Sequence, residues 1–249
     1  MTVLDQTVQT MPALAHLREL RRRLVICLAA AAVATALAWL LYNHVVAFMV
    51  GPYRQFLAGH PHLNIAGGNL VATAPLEGFT TRLKVSGYLG LVMAAPVLLF
   101  QSWRFVAPGL HRTERRYAAG FVVAAVTLFG LGAATAVMIF PKAVSWMISV
   151  GGSSVAPLFS PGSYLGMYAL CCLVFGIAFT YPVVLVFLEV IGVLPSARLR
   201  KWRRYAIVLI VGASAFITPS SDPFSFVAMA IPLLVFYEAS ILIGRLLGR

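Results

Sequence analysis

Acidic residues are nearly missing from this chain. Its 249 residues include seven Asp and Glu against nineteen Lys and Arg, and charged residues make up 10% of the whole. Soluble domains carry about 25% charge, so a fully solvated surface is excluded. The net charge of +12 does not point to nucleic acid either, because the basic residues flank apolar runs and do not cover one solvated face. Cysteine is scarce: Cys27, Cys171 and Cys172 all lie inside apolar runs, which excludes a disulfide framework and favours plain membrane-core residues. Neither these thiols nor the histidines (His16, His44, His60, His62, His111) fall at metal-ligand spacing, so no metal or cofactor is expected. The first fifteen residues are mixed polar and no small-residue site follows the first apolar run, so no cleavable signal peptide is expected.

Hydrophobic residues are abundant, at 61%. They form runs at 24–50, 85–103, 117–140, 164–188, 205–217 and 223–237. A hydrocarbon core of about 30 Å takes about 20 helical residues, and the first four runs reach that length. The thirteen residues of the fifth cover only ~20 Å, so the last two spans are expected to be short, and the bilayer thins there or the helices lean on neighbours. The expected fold is an all-α membrane protein, a six-span bundle in one domain over 10–245. A mobile tail (1–9) precedes it and a short C-terminal end (246–249) follows. Thr10 is placed to cap a helix on the cytoplasmic surface, with Leu14, Leu17 and Leu20 on one face.

Fifteen of the nineteen basic residues fall in four clusters: Arg18–Arg23, Arg104–Arg116, Arg198–Arg204, and Arg245 with Arg249. Six spans put all four on one side and leave Arg54, Arg82, Lys84 and Lys142 on the other. Basic loops stay in the cytoplasm, so both termini are expected there. The outer loop from about Gly51 to Thr81 is broken by Pro52, Gly59, Pro61, Gly67, Gly68 and Pro75, with 52–57 expected as an amphipathic interfacial turn. A Gly/Ser/Pro-rich second outer loop is expected over 141–163. Pro96, Pro182 and Pro232 lie inside spans, where they bend helices and curve the bundle.

With so few acids, each one is informative. Glu19, Glu114, Glu189 and Glu238 lie towards the basic side, while Glu77 and Asp222 fall on the other. Glu19 has Arg23 at i+4, and Glu114 has Arg112, Arg115 and Arg116 nearby. Each is either a local ion pair or a carboxylate that serves a ligand. Glu189 is expected to snorkel at the interface, and Asp222 to cap the outer turn.

The run His16-Leu17-Arg18-Glu19-Leu20-Arg21-Arg22-Arg23-Leu24 resembles the opening signature of the TatC family, the polytopic receptor subunit of the twin-arginine translocase. The resemblance continues through Pro75-Leu76-Glu77-Gly78-Phe79 with Lys84, and through Pro96, Gln101, Trp103, Phe105, Pro108, Gly109, Leu110, Glu114 and Arg115. Arg203-Arg204-Tyr205, Thr218-Pro219 with Asp222, and Pro232 with Tyr237-Glu238 complete it. Together these cover about 10–245 in family order. One departure stands out: where the family carries an intramembrane glutamate before the fourth-span proline, this chain has Thr180 ahead of Tyr181-Pro182. Ser220 and Ser221 also depart from the family's usual turn.

The resemblance implies a curved, cup-like bundle in the cytoplasmic membrane. It implies that folded proteins with twin-arginine signal peptides dock at the cytoplasmic face. Single-span TatA- and TatB-type subunits and further copies of this chain then assemble, and proton-motive force drives export. The signal-peptide site implied comprises Glu19, Glu114, Arg18, Phe105, His16 and Leu17. Partner-contact or structural roles fall to Thr180, Glu77, Lys84, Asp222, Glu238 and Pro96. Carboxylates suit the task, because a guanidinium's planar fork pairs bidentately with them.

Other readings are a divergent TatC paralogue with altered partner contacts, for which Thr180 speaks, and a small-molecule secondary transporter. A transporter calls for related halves and midplane charges, and neither is evident. A membrane enzyme calls for a nucleophile, metal or acid pair at one depth, and no such constellation is seen.

Overall fold

The computed structural model of the chain describes residues 13–59, 69–106, 118–151, 159–220 and 222–246. Among these residues there are eight helices and no strand: α1 (Ala13–Leu40), α2 (Tyr42–Ala58), α3 (Glu77–Val106), α4 (Ala118–Val150), α5 (Pro161–Phe179), α6 (Tyr181–Val190), α7 (Ser196–Ile217) and α8 (Pro223–Leu246). Five segments are long and apolar enough to cross a membrane: 17–40, 77–105, 119–150, 161–190 and 223–246. The sixth expected span lies in α7, whose first half carries the Arg198–Arg204 cluster ahead of the apolar run. The expected N-terminal tail, Thr10, and the loop sequences 60–68, 107–117 and 152–158 lie outside the described residues, as do Ser221 and the last three residues.

The first apolar run does not form one helix. It breaks at Leu41, ahead of Tyr42-Asn43-His44, and the chain re-enters helix as α2. The break is held from a distance. Arg82 on α3 donates from Nη2 to the Trp39 carbonyl at 3.0 Å, and its guanidinium lies 4.5 Å from the Trp39 ring and 5.1 Å from that of Tyr42. A cation at the C-terminal end of α1 also suits the helix dipole. Beyond the break, α2 continues through Pro52 and buries Met49, Val50, Tyr53 and Leu57. The expected turn at 52–57 is thus the packed last part of a 17-residue helix. Its 49, 53, 57 spacing forms one apolar stripe, and Tyr164 on α5 donates to the Met49 carbonyl at 3.1 Å.

Helix α4 runs 33 residues, past Pro141 and into the expected outer loop. A rise of ~50 Å follows, more than the hydrocarbon thickness. The fourth apolar run is divided at Thr180. The Thr180 amide bonds to Ile177, its hydroxyl donates to the same carbonyl at 2.7 Å, and Pro182 has no amide hydrogen to offer. Helix α6 then ends at Val190, two residues before Gly192, the one described residue with a left-handed φ (+74°), a conformation glycine adopts without steric cost. Pro96 and Pro232, by contrast, sit within continuous α3 and α8.

The helices pack as a row: α1 against α3, α3 against α5, α5 against α4, and α8 between α6 and α7. The shared core includes Met49, Tyr53, Val85, Phe140, Tyr164, Tyr168, Phe175, Phe179, Met229 and Tyr237. Phe140 stacks on Tyr168 with ring centroids 4.3 Å apart. Apolar side chains of α1 and α7, such as Val33, Leu40, Val208 and Phe216, remain exposed at the two ends of the row. In a membrane such surface faces lipid at no hydrophobic cost.

Candidate functional site: a recess at the basic end

Helices α1 and α3 run antiparallel, so the start of one meets the end of the other. At that junction Glu19, Arg22, Arg23 and Ile26 of α1 and Gln101 and Arg104 of α3 line a recess of ≈ 140 Å³. Helical periodicity explains the set from α1, because residues three and four apart share a face. One carboxylate thus stands among three guanidinium groups. Arg23 donates to Glu19 Oε1 from Nε at 3.1 Å and from Nη2 as well. Gln101 is buried, and Arg104 occupies the last turn of α3. Chemically, the recess offers an oxyanion for a guanidinium, framed by an amide and an apolar wall.

The expected site residues are only partly gathered here. Glu19 lines the recess, while Arg18 and Leu17 lie on its helix with exposed side chains. Phe105 is half-buried one residue beyond Arg104. The side chain of His16 and all of Glu114 lie outside the described residues. Arg22, Arg23, Gln101 and Arg104 were not expected as site residues. Gln101 belongs to the motif quoted above, but only the antiparallel packing of α1 on α3 brings it to Glu19.

The other acids are dispersed. Glu238 pairs with Arg203 across α7 and α8, both side chains being about half exposed. At the opposite end Glu77 accepts from the Thr73 amide (2.6 Å), the Thr73 hydroxyl (3.0 Å) and the Gly162 amide (3.3 Å), tying α3 to the start of α5. Asp222 is buried and accepts from the Ser225 amide at 2.7 Å, the N-cap bond of α8. Lys84 and Pro96 are exposed on α3. Glu189 does not snorkel: it is fully buried on α6, neither carboxyl oxygen has a hydrogen-bond partner among the described residues, and it packs on Gly244. A Cβ at Gly244 would stand 2.5 Å from that carboxyl group.

Thr180 lines a second, apolar recess with Leu99, Ser102, Trp103, Val183 and Phe187. Trp103 closes one wall, stacked on Phe121 (4.9 Å) and edge-on to Phe187 (4.6 Å). Among the described residues no group of three His, Cys, Asp or Glu is placed to hold a metal ion.

Five helical segments long and apolar enough to cross a membrane, with a charged recess at one end, define a polytopic membrane protein. A family model described as Sec-independent protein translocase protein (TatC) matches residues 15–232. The TatC protein of Aquifex aeolicus is 34% identical over 242 residues, covering 96% of this chain and 97% of that protein. That of Magnetococcus marinus is 36% identical over 242 residues, with 97% and 86% covered. The Frankia casuarinae TatC is 34% identical over 243 residues, 96% of this chain and 67% of that longer relative. A solved structure titled Twin Arginine Translocase Receptor, TatC, in DDM superposes with a TM-score of 0.76 at 33% identity, covering 92% of this chain and 99% of that one. The chain belongs to the TatC family, subunits of the Sec-independent protein translocase.

Proposed function

We propose that this subunit receives the twin-arginine signal peptides of folded proteins, with Glu19 as a carboxylate for an incoming arginine. The observation that carries the reading is the recess, where the lone described acid of the basic end of α1 is framed by Gln101 and Arg104 from α3. A basic surface repels an arginine-bearing ligand at long range, so a carboxylate within it acts locally and selectively. Glu114 is read as the second carboxylate of the site. The charge distribution supports a cytoplasmic-membrane protein with six spans, α7 among them, and both termini in the cytoplasm. TatA- and TatB-type subunits and further copies of this chain complete a complex driven by proton-motive force, because one bundle of this size has no room to pass a folded protein.

The test is complementation. Cells lacking the gene are expected to retain folded twin-arginine substrates, and the Glu19→Ala, Glu114→Ala double variant is expected not to restore export. Full rescue by that variant overturns the receptor reading.

A second reading rests on Thr180. Its hydroxyl is engaged with the Ile177 carbonyl inside the apolar recess, so a partner helix meets no carboxylate there. On this reading the chain is a paralogue with altered partner contacts. Thr180→Glu is then expected to change cross-linking to a TatB-type subunit; unchanged cross-linking removes position 180 from the contact.

A further inference from the structure

Glu19 already holds a guanidinium. Arg23, one turn along α1, donates from both Nε and Nη2 to a single carboxylate oxygen, and its side chain is only 12% exposed. An arginine from a ligand would seek the same carboxylate with the same planar fork of donors. Arg22 and Arg104 line the same recess, so a further guanidinium beside Arg23 would crowd four positive groups around one acid. An incoming arginine is therefore accommodated when Arg23 leaves. Arg23 is able to leave, because its head is carried on a flexible stem and its charge is well solvated once outside.

We propose that Arg23 is an internal occupant of the Glu19 site, which an arginine-bearing peptide displaces in order to bind. The inference rests on the reading of Glu19 as a ligand carboxylate. The closed pair reduces the fraction of binding-competent receptor and weakens apparent affinity by that fraction. As the ligand departs, Arg23 closes behind it and speeds release. A receptor that must hand its ligand on gains from such a built-in competitor.

The experiment uses the full chain in lipid nanodiscs and a synthetic peptide bearing adjacent arginines. Arg23→Gln is expected to tighten binding about two- to fivefold, the range that a partly exposed ion pair represents, chiefly through slower dissociation. Arg23→Lys keeps the charge but lacks the planar fork, and is expected to fall between wild type and Arg23→Gln. The gain requires Glu19: in a Glu19→Gln background, Arg23→Gln changes nothing. Unchanged or weaker binding by Arg23→Gln overturns the inference. So does an equal gain in the Glu19→Gln background or in Arg21→Gln, which would mark relief of general charge repulsion. If Glu19→Gln alone leaves binding untouched, the reading of Glu19 fails. If it weakens binding while Arg23→Gln has no effect, only the displacement idea fails.

Discussion

At the residue scale, two buried carboxyl groups show how differently an acid sits in this bundle. Asp222 is partnered: one oxygen caps α8 through the Ser225 amide. Asp222→Ala is expected to lower stability by about 1 kcal/mol, read as a lower unfolding temperature in detergent. Among the described residues Glu189 has no hydrogen-bond partner, so its desolvation is not returned by such a bond. Glu189→Leu is expected to leave stability unchanged or raise it, because an orphaned buried polar group costs about 1–3 kcal/mol. Gly244→Ala should do the reverse. The added methyl meets the Glu189 carboxyl, and overpacking of this kind costs about 1–3 kcal/mol. Adding Glu189→Ala to Gly244→Ala should restore much of the loss, since the two positions share one space. Sequence placed Asp222 at its cap because the bond is local, three residues long. It misplaced Glu189, because the surface that buries it comes from α8, some fifty-five residues away.

At the scale of elements, α1 depends on α3 for its position. Thr35 lies directly over Gly90, so close that a Cβ there would collide with the Thr35 backbone, and Arg82 holds the Trp39 carbonyl lower down. Gly90→Leu is expected to separate the two helices and open the Glu19 recess at their far end. Cross-linking between cysteines placed at Ile26 and Gln101 should then fall several-fold while α4–α5 cross-links persist. Arg82→Leu removes both the carbonyl bond and the aromatic contacts, and a cation–π contact of this kind is worth about 0.5–2 kcal/mol. Its expected effect is local: faster proteolysis near the α1–α2 junction, with the rest of the bundle protected. The break at Leu41 was not legible, because the run through Val50 is apolar enough to continue and the residue that holds the break is on another helix. The Thr180 break was half legible. Pro182 announces a bend, but only the hydroxyl bond to Ile177 shows where the helix yields.

For the whole molecule, charge asymmetry leads to a topology that labelling checks. In a chain whose Cys27, Cys171 and Cys172 are replaced by alanine, a cysteine at Gly151 is expected to react with a membrane-impermeant maleimide in intact cells. A cysteine at Lys201 is expected to react only after the membrane is opened. The reverse pattern, or reaction of both from outside, contradicts cytoplasmic termini with six spans. Position 201 is the sensitive one, because it opens α7, where the basic cluster and the short apolar run share one 22-residue helix.

Composition and charge order by themselves determined that this is a helical membrane protein, and which segments are apolar enough to be candidates for crossing. Those properties follow from transfer of each segment between water and lipid, and that free energy is summed along the chain. Motif order likewise pointed to the family. Tertiary structure alone decided that α2 packs on α4 and α5, that Glu189 is enclosed, and that Gln101 and Arg104 stand beside Glu19 with Arg23 already on its carboxylate. Each of these depends on which helix faces which. In a membrane that choice is made by close packing and hydrogen bonds between helices, because lipid contact leaves every apolar face equally satisfied.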